Sequence, residues 1–299
     1  MFGNIWHQGT VYEATSYAVP FLIQLVQDPA TPDRVGILGL LAAIAHGASY
    51  LDVHEGFLKK YPVKKIGVPG TEEFNRKKER ELAWVAAAHS AVAEGYEVYT
   101  ALLDSRSQIA YAAANVLARL RVGLAETSEL LLDMLQKESR GRYRAGLLLL
   151  IGEHVHDSAE IESAVNTAAT AELIEERCAA AIAASRKMSV EISPQLRDAL
   201  IDAICDEDLY RHFEGLPWDA SDNIDRDALF VRDPAVSEAA IERLLAEVEA
   251  GRAGEESYYT LCRLLFGTDG GFDPIGLSMM QQRTIDAIIQ AIDDRGLSF

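Results

Sequence analysis

The sequence predicts an all-α protein, an α-solenoid of stacked antiparallel helical hairpins that ends in divergent C-terminal helices. Three observations predict it. A short phrase recurs as Ile109-Ala110-Tyr111-Ala112-Ala113, Tyr143-Arg144-Ala145-Gly146-Leu147 and Glu176-Arg177-Cys178-Ala179-Ala180, so that its second position advances in steps of 34 and 33 residues. A period of that size marks helical hairpins, which bury their apolar faces only by stacking on their neighbours. Apolar residues elsewhere keep helical spacing, and no segment sustains the alternation with β-branched enrichment that a strand requires.

Taken in order, Ile109, Ala112, Ala113, Val116, Leu117 and Leu120 line one face of a helix. Leu131, Met134 and Leu135 begin the next, and Tyr143, Leu147, Leu150 and Ile151 another. Ile174, Cys178, Ala181 and Ile182 continue the series, followed by Leu196, Leu200, Ala203 and Ile204. Start signals agree with these faces. Ser193-Pro194 and Asp233-Pro234 each set a capping side chain before a proline at the first helical position. Ser278 with Gln281 has the form of a capping box ahead of Ile285, Ile288, Ile289 and Ile292.

Two stretches break the regularity and set the expected domains. Residues 1–214 read as the repeat array, with an insertion at about 50–71 where Tyr61-Pro62 and Val68-Pro69-Gly70 interrupt the periodicity. Residues 215–299 read as acidic, divergent helices that continue the array. Lys59, Lys60, Lys64, Lys65, Arg76, Lys77, Lys78 and Arg80 cluster around the insertion.

Composition narrows the function classes. Of 299 residues 49% are hydrophobic, which suits a packed core and excludes a disordered chain. The longest apolar runs, such as Leu147 to Ile151, are far shorter than the roughly 18 residues a membrane span needs. The first ten residues lack a basic segment followed by an apolar core, so they do not read as a secretory signal. An odd number of cysteines, 3, without short-range pairing fits a reducing compartment, and the expected location is cytoplasmic. The net charge of −18 is uneven: residues 1–150 hold 16 basic and 16 acidic side chains, residues 151–299 hold 12 and 30. Such a half repels nucleic acid and anionic membranes and attracts basic proteins.

At the recurring phrases the chain resembles HEAT-type repeat proteins, particularly the short bacterial variety often labelled lyase-like. The resemblance implies an outer helix carrying the apolar-Arg-x-Ala phrase and an inner helix lining a concave face; it covers roughly Ala14 to Lys187, with Ala110 standing where arginine is usual. The opening phrase Trp6-His7-Gln8-Gly9-Thr10-Val11-Tyr12-Glu13-Ala14-Thr15 is similar to that of an uncharacterised set of bacterial HEAT-repeat proteins. In that set a further helix precedes the phrase. Its lack here implies a missing or trimmed first repeat, whose loss would expose Val19, Leu22, Ile23 and Val26 at about 25 cal/mol per Å² of apolar area.

The candidate partner-binding residues are Trp6, His7, Tyr12 and Glu13 in the opening phrase and Asp219, Asp222, Asp225 and Asp227 in the acidic stretch. Aromatic anchors ringed by polar groups suit protein recognition. The same opening residues also serve structure if Thr10 caps the following helix and Trp6 staples it. His154-Val155-His156-Asp157 offers zinc-type ligands, but alternate residues on a helix point about 200° apart. The aspartate run lacks calcium-loop spacing. His89 and Cys178 read as packed core residues, and neither a nucleophile elbow nor a phosphate loop is present. No catalytic residue, cofactor or metal is therefore expected. The expected function is a non-enzymatic protein-binding solenoid, in its most concrete form an acidic inhibitor of immunity type acting on a basic partner. The alternatives are a nucleic-acid-binding solenoid that uses the basic insertion, and a lyase-like enzyme or assembly factor.

Overall fold

The structure is a computed structural model that describes residues 5–7, 9–61, 63, 67–104, 107–187, 192–220, 224, 229, 234–266 and 278–295. The protein is all-α. Among the described residues fourteen α-helices account for nearly all regular structure: α1 (Thr15–Gln27), α2 (Arg34–His46), α3 (Tyr50–Lys60), α4 (Glu72–Ala93), α5 (Tyr96–Ala101), α6 (Gln108–Arg119), α7 (Leu124–Lys137), α8 (Gly141–Glu153), α9 (Ala159–Ala168), α10 (Ile174–Arg186), α11 (Pro194–Cys205), α12 (Pro234–Glu249), α13 (Glu255–Phe266) and α14 (Met279–Arg295). A two-stranded hairpin, β1 (Trp6–His7) and β2 (Thr10–Val11), precedes them, pairing Trp6 with Val11 and His7 with Thr10. Strands of two residues carry no readable alternation, which is why the sequence shows no sign of them. No helix among the described residues is long and apolar enough to cross a membrane.

The chain divides into two compact units. One comprises Met1–Met134, Glu153–His156 and Gly215–Asp219; the other comprises Leu135–Gly152, Asp157–Glu214 and Ala220–Phe299. In the first unit α2 is the central helix, packed on α1, α4, α6 and β1. Leu38, Leu40, Leu41, Ala42, Ile44 and Ala45 are all buried, as expected of a helix that is apolar on every side. The stretch 50–71 opens with α3, whose Leu51 and Leu58 form a small core with Phe74 of α4.

Two expectations at the N-terminal end are corrected. Val19, Leu22 and Val26 are buried, Ile23 packs partly buried on the core, and α1 docks on both α2 and α4. The exposed apolar residues of α1 are instead Tyr17, Phe21 and Leu25, the opposite stripe at i, i+4 and i+8. Thr10 does not cap α1. Its Oγ1 donates across the hairpin to His7 O at 2.9 Å, while Thr15 Oγ1 accepts from Tyr12 N and donates to Ile5 O.

Elsewhere the local signals hold. Ser193 Oγ accepts from Leu196 N at the start of α11, and Ser278 with Gln281 forms the reciprocal capping box. Asp233 lies outside the described residues, but α12 does begin at Pro234.

The recurring arginine has a physical role in the second unit. Arg144 Nη1 donates to Leu135 O and Glu138 O at the end of α7, and its Nε donates to Glu176 at 3.0 Å. One repeat on, Arg177 Nη1 donates to Ala171 O and Glu172 O after α9, and its Nε lies 3.6 Å from Asp202. Each arginine thus occupies two carbonyls at or beyond the end of the preceding helix and reaches a carboxylate of a later helix. In the first unit Arg34 Nε donates to Val26 O at 2.7 Å, within the last turn of α1. Its context, Arg34-Val35-Gly36-Ile37-Leu38, parallels Arg144-Ala145-Gly146-Leu147-Leu148. Close backbone approach completes the packing of α8 on α10: a Cβ at Gly152 would stand 2.7 Å from Ala183 Cα.

Replacing Arg144 with alanine strands two carbonyls and the Glu176 carboxylate, whose side chain is 8% exposed, and is expected to cost about 3 kcal/mol. Lys59→Ala removes a pair whose lysine is 63% exposed and should change stability by less than about 0.5 kcal/mol. Urea unfolding followed by circular dichroism checks both, and equal effects would refute the structural role given to Arg144.

Candidate functional site

The site grows from the short junction between α2 and α3. Gly9, at φ +84°, turns the hairpin so that its O accepts from Ala48 N at 2.8 Å, and Val11 N donates back to Ala48 O at 3.2 Å. The approach leaves no room at Gly47, where a Cβ would stand 2.5 Å from Val11 Cγ1. From α4, His89 Nε2 meets Gly47 O at 2.9 Å. Ser49 then caps α3 by accepting from Asp52 N. Glu81, also from α4, accepts at Oε2 from Ser49 Oγ at 2.8 Å and from Leu51 N at 2.9 Å, so one carboxylate closes the first turn of α3. Hairpin, α3 and α4 are held together by these bonds.

Between them lies a pocket of about 370 Å³ lined by His7, Thr10, Val11, Tyr12, Tyr50, His54, Glu81 and Trp84. Tyr50 and His54 are i and i+4 on α3 and stack, with ring centroids 4.3 Å apart and planes at 22°. His54 Nδ1 meets Tyr50 O at 3.0 Å. Glu81 and Trp84 are i and i+3 on α4 and face the same side. Among the described residues no lysine or arginine lines the pocket. Just outside, the Arg80 guanidinium lies 5.6 Å from the Trp84 ring centroid.

The aromatic surface continues past the pocket along α3. Tyr50, Val53, Phe57 and Tyr61 are between 42% and 61% exposed, and the Phe57 and Tyr61 rings lie 5.1 Å apart. This helix buries Leu51 and Leu58 on one side and presents the larger apolar side chains on the other. An ordinary surface helix does the reverse.

Of the candidate residues from the opening phrase, His7 and Tyr12 line the pocket. Trp6 packs partly buried against the core, and Glu13 is exposed outside the pocket. Asp219 is exposed and is not a lining residue, while Asp222, Asp225 and Asp227 lie outside the described residues. Sequence reasoning missed Tyr50, His54, Glu81 and Trp84; the two same-face pairs were the available signal.

Three lysines around the insertion pair with carboxylates, Lys59 and Lys77 within their own helices and Lys78 across from α4 to α3. Lys59 meets Glu55 at 2.9 Å, Lys77 meets Glu73 at 2.8 Å, and Lys78 meets both Asp52 and Glu55 at 2.7 Å. Lys64 and Lys65 lie outside the described residues. Hydrogen bonds from Lys78 and then Lys59 hold the Glu55 carboxyl down at about 2.

The other reactive-looking groups serve packing. Helix α8 ends at Glu153, so the helical-angle argument against His154 and His156 does not apply. His154 is buried, with Nε2 2.8 Å from Leu124 O and Nδ1 3.3 Å from Ala118 O. Among the described residues no group of three or more His, Cys, Asp or Glu is placed to hold a metal ion. Cys178 is fully buried, and burial, with Asp206 and Asp202 adding to it, pushes its thiol up to about 12. A thiol so protonated is no nucleophile, and His212 bonds Asp206 rather than the sulfur. No protein-family model, curated protein or solved structure matches the chain.

Two measurements check these assignments. Because Glu55 titrates at about 2 in the folded protein against an ordinary 4.5, its pairing stabilises the fold fully above 4.5 and is lost as pH falls from there through 2. Carboxyl-detected NMR should find Glu55 charged at pH 3.5, and in Lys78→Met its midpoint should rise. Ellman's reagent should leave Cys178 untouched in native protein and label it on unfolding; rapid native labelling of that thiol would contradict its burial.

Proposed function

We propose that this chain is a non-enzymatic, HEAT-like helical-repeat protein of the cytoplasm that binds another protein through the aromatic surface of its first unit. The observation that carries the reading is the outward stripe of Tyr50, Val53, Phe57 and Tyr61 on α3, continuous with a pocket lined by Tyr12 and Trp84. Exposed apolar side chains grouped in this way, rich in tyrosine and tryptophan and rimmed by charge, are the composition of protein-recognition hot spots. The HEAT-like assignment is supported by the arginines at 34, 144 and 177, each of which donates to backbone carbonyls at or beyond the end of the preceding helix. The net charge of −18, whose excess lies in residues 151–299 and not in the half that carries the aromatic surface, favours a basic partner by long-range attraction. The nucleic-acid alternative is weakened by the pairing of Lys59, Lys77 and Lys78 with neighbouring carboxylates, against which phosphates would have to compete.

The test begins with the partner purified from the native host. The double variant Tyr50→Ser, Phe57→Ser should weaken its binding at least tenfold, which corresponds to about 1.4 kcal/mol. Tyr17→Ser, Phe21→Ser on α1 should leave affinity within twofold. Loss of binding through the α1 variant alone would move the interface to α1. Submicromolar binding of duplex DNA at 0.15 M salt, abolished by changing the lysines, would replace this reading with the nucleic-acid one.

A further inference from the structure

We infer that the pocket at the head of α3 receives an arginine side chain of the protein partner; the inference rests on the protein-binding reading and names the chemistry its pocket recognises. Three rings, Tyr12, Tyr50 and Trp84, and one carboxylate, Glu81, line the same 370 Å³ space. The negative faces of aromatic rings attract a cation, most strongly where water is partly excluded. Glu81 adds a carboxylate to that aromatic lining. Its hydrogen-bond partners, Ser49 Oγ and Leu51 N, are both neutral and both meet Oε2; among the described residues Oε1 receives no hydrogen bond and no basic side chain pairs with Glu81.

The contrast with the neighbouring carboxylates is informative. Asp52, Glu55 and Glu73, on the same two helices, each face a lysine at 2.7 to 2.9 Å. Glu81 faces no lysine, nor do Glu72 and Glu79 of α4, but among the described residues Glu81 is the one carboxylate that lines the pocket, which leaves a site complementary to an incoming cation. Arginine fits better than lysine because its flat guanidinium stacks on rings while donating in its plane to a carboxylate oxygen. The Trp84 ring already has such a neighbour in Arg80, 5.6 Å from its centroid and not among the pocket's lining residues. If the neutral His54 ring donates from Nδ1 to Tyr50 O, its Nε2 remains an acceptor for a second guanidinium proton. The stripe of Val53, Phe57 and Tyr61 leading away from Tyr50 gives the apolar residues flanking that arginine a surface on which to lie.

The probe is a synthetic peptide, acetyl-Leu-Arg-Phe-Leu amide, compared with the same peptide carrying citrulline, which keeps the shape and removes the charge. Binding is followed on the full chain by isothermal titration calorimetry, with the indole N–H signal of Trp84, assigned with Trp84→Phe, locating the peptide in the native protein and in Glu81→Gln. The arginine peptide should bind at least tenfold more tightly than the citrulline peptide. That preference should collapse in Glu81→Gln and also in Trp84→Leu, which leaves the Glu81 bonds to Ser49 and Leu51 in place and guards against simple loss of α3. Equal binding of the two peptides by the native protein would overturn the inference. So would free arginine binding as tightly as the peptide, which would make the pocket a small-molecule site. If the purified partner loses affinity through Tyr50→Ser, Phe57→Ser but not through Glu81→Gln, the protein-binding reading stands and the arginine pocket falls.

Discussion

The organisation of this chain depends on satisfying the backbone groups left open where its helices end. Each helix leaves four N–H and four C=O groups without partners, and burying them unpaired costs more than a typical hydrogen bond returns. Here the partners repeatedly come from side chains of another element. Arg34, Arg144 and Arg177 donate to carbonyls at or just beyond the ends of α1, α7 and α9. Gln281 of α14 donates to Leu265 O in the last turn of α13. Carboxylates do the converse at helix starts: Glu81 accepts from the first residues of α3, and Glu207 accepts from Gly254 N and Ser257 Oγ at the head of α13. Most of these bonds tie consecutive helices together, and those of Glu207 reach farther along the chain.

The candidate site follows from the same constraint. Because Glu81 must reach the start of α3, Trp84 one turn on is carried to the same side, and Tyr50 is set opposite it. Because Ala48 exchanges backbone bonds with Gly9 and Val11, the hairpin places His7 and Tyr12 on the remaining wall. The small core of Leu51, Leu58 and Phe74 holds α3 by its smaller apolar residues and leaves its aromatic ones outward.

The sequence made periodic features legible. The arginine steps, the proline-marked start of α11 and the capping box at Ser278 were all readable because each depends on neighbours within one turn or one repeat. The pocket was not, because its walls come from three separated segments, and Glu81 sits in a charged run, Lys77-Lys78-Glu79-Arg80-Glu81, that reads as a solvated face. Thr10 is a good capping type, and only the hairpin, too short to announce itself, turns its hydroxyl to His7 O and leaves α1 without a side-chain cap. The burial of Val19, Leu22 and Val26 was not legible for a related reason. Val19, Leu22, Val26 and Tyr17, Phe21, Leu25 both follow helical spacing, and the docking of α1 on α2 and α4 selects between them.

Asp202 of α11 touches Arg177 of α10 and also Arg243 of α12, at 3.6 and 2.7 Å. A carboxylate shared in this way cannot be assigned to either partner, so the energy of the triad does not divide into two pairs. The consequence concerns how the second unit opens. Displacing any one of these three helices changes the charge balance of the other two, which couples their local openings by the modest amount that partly exposed ion pairs contribute.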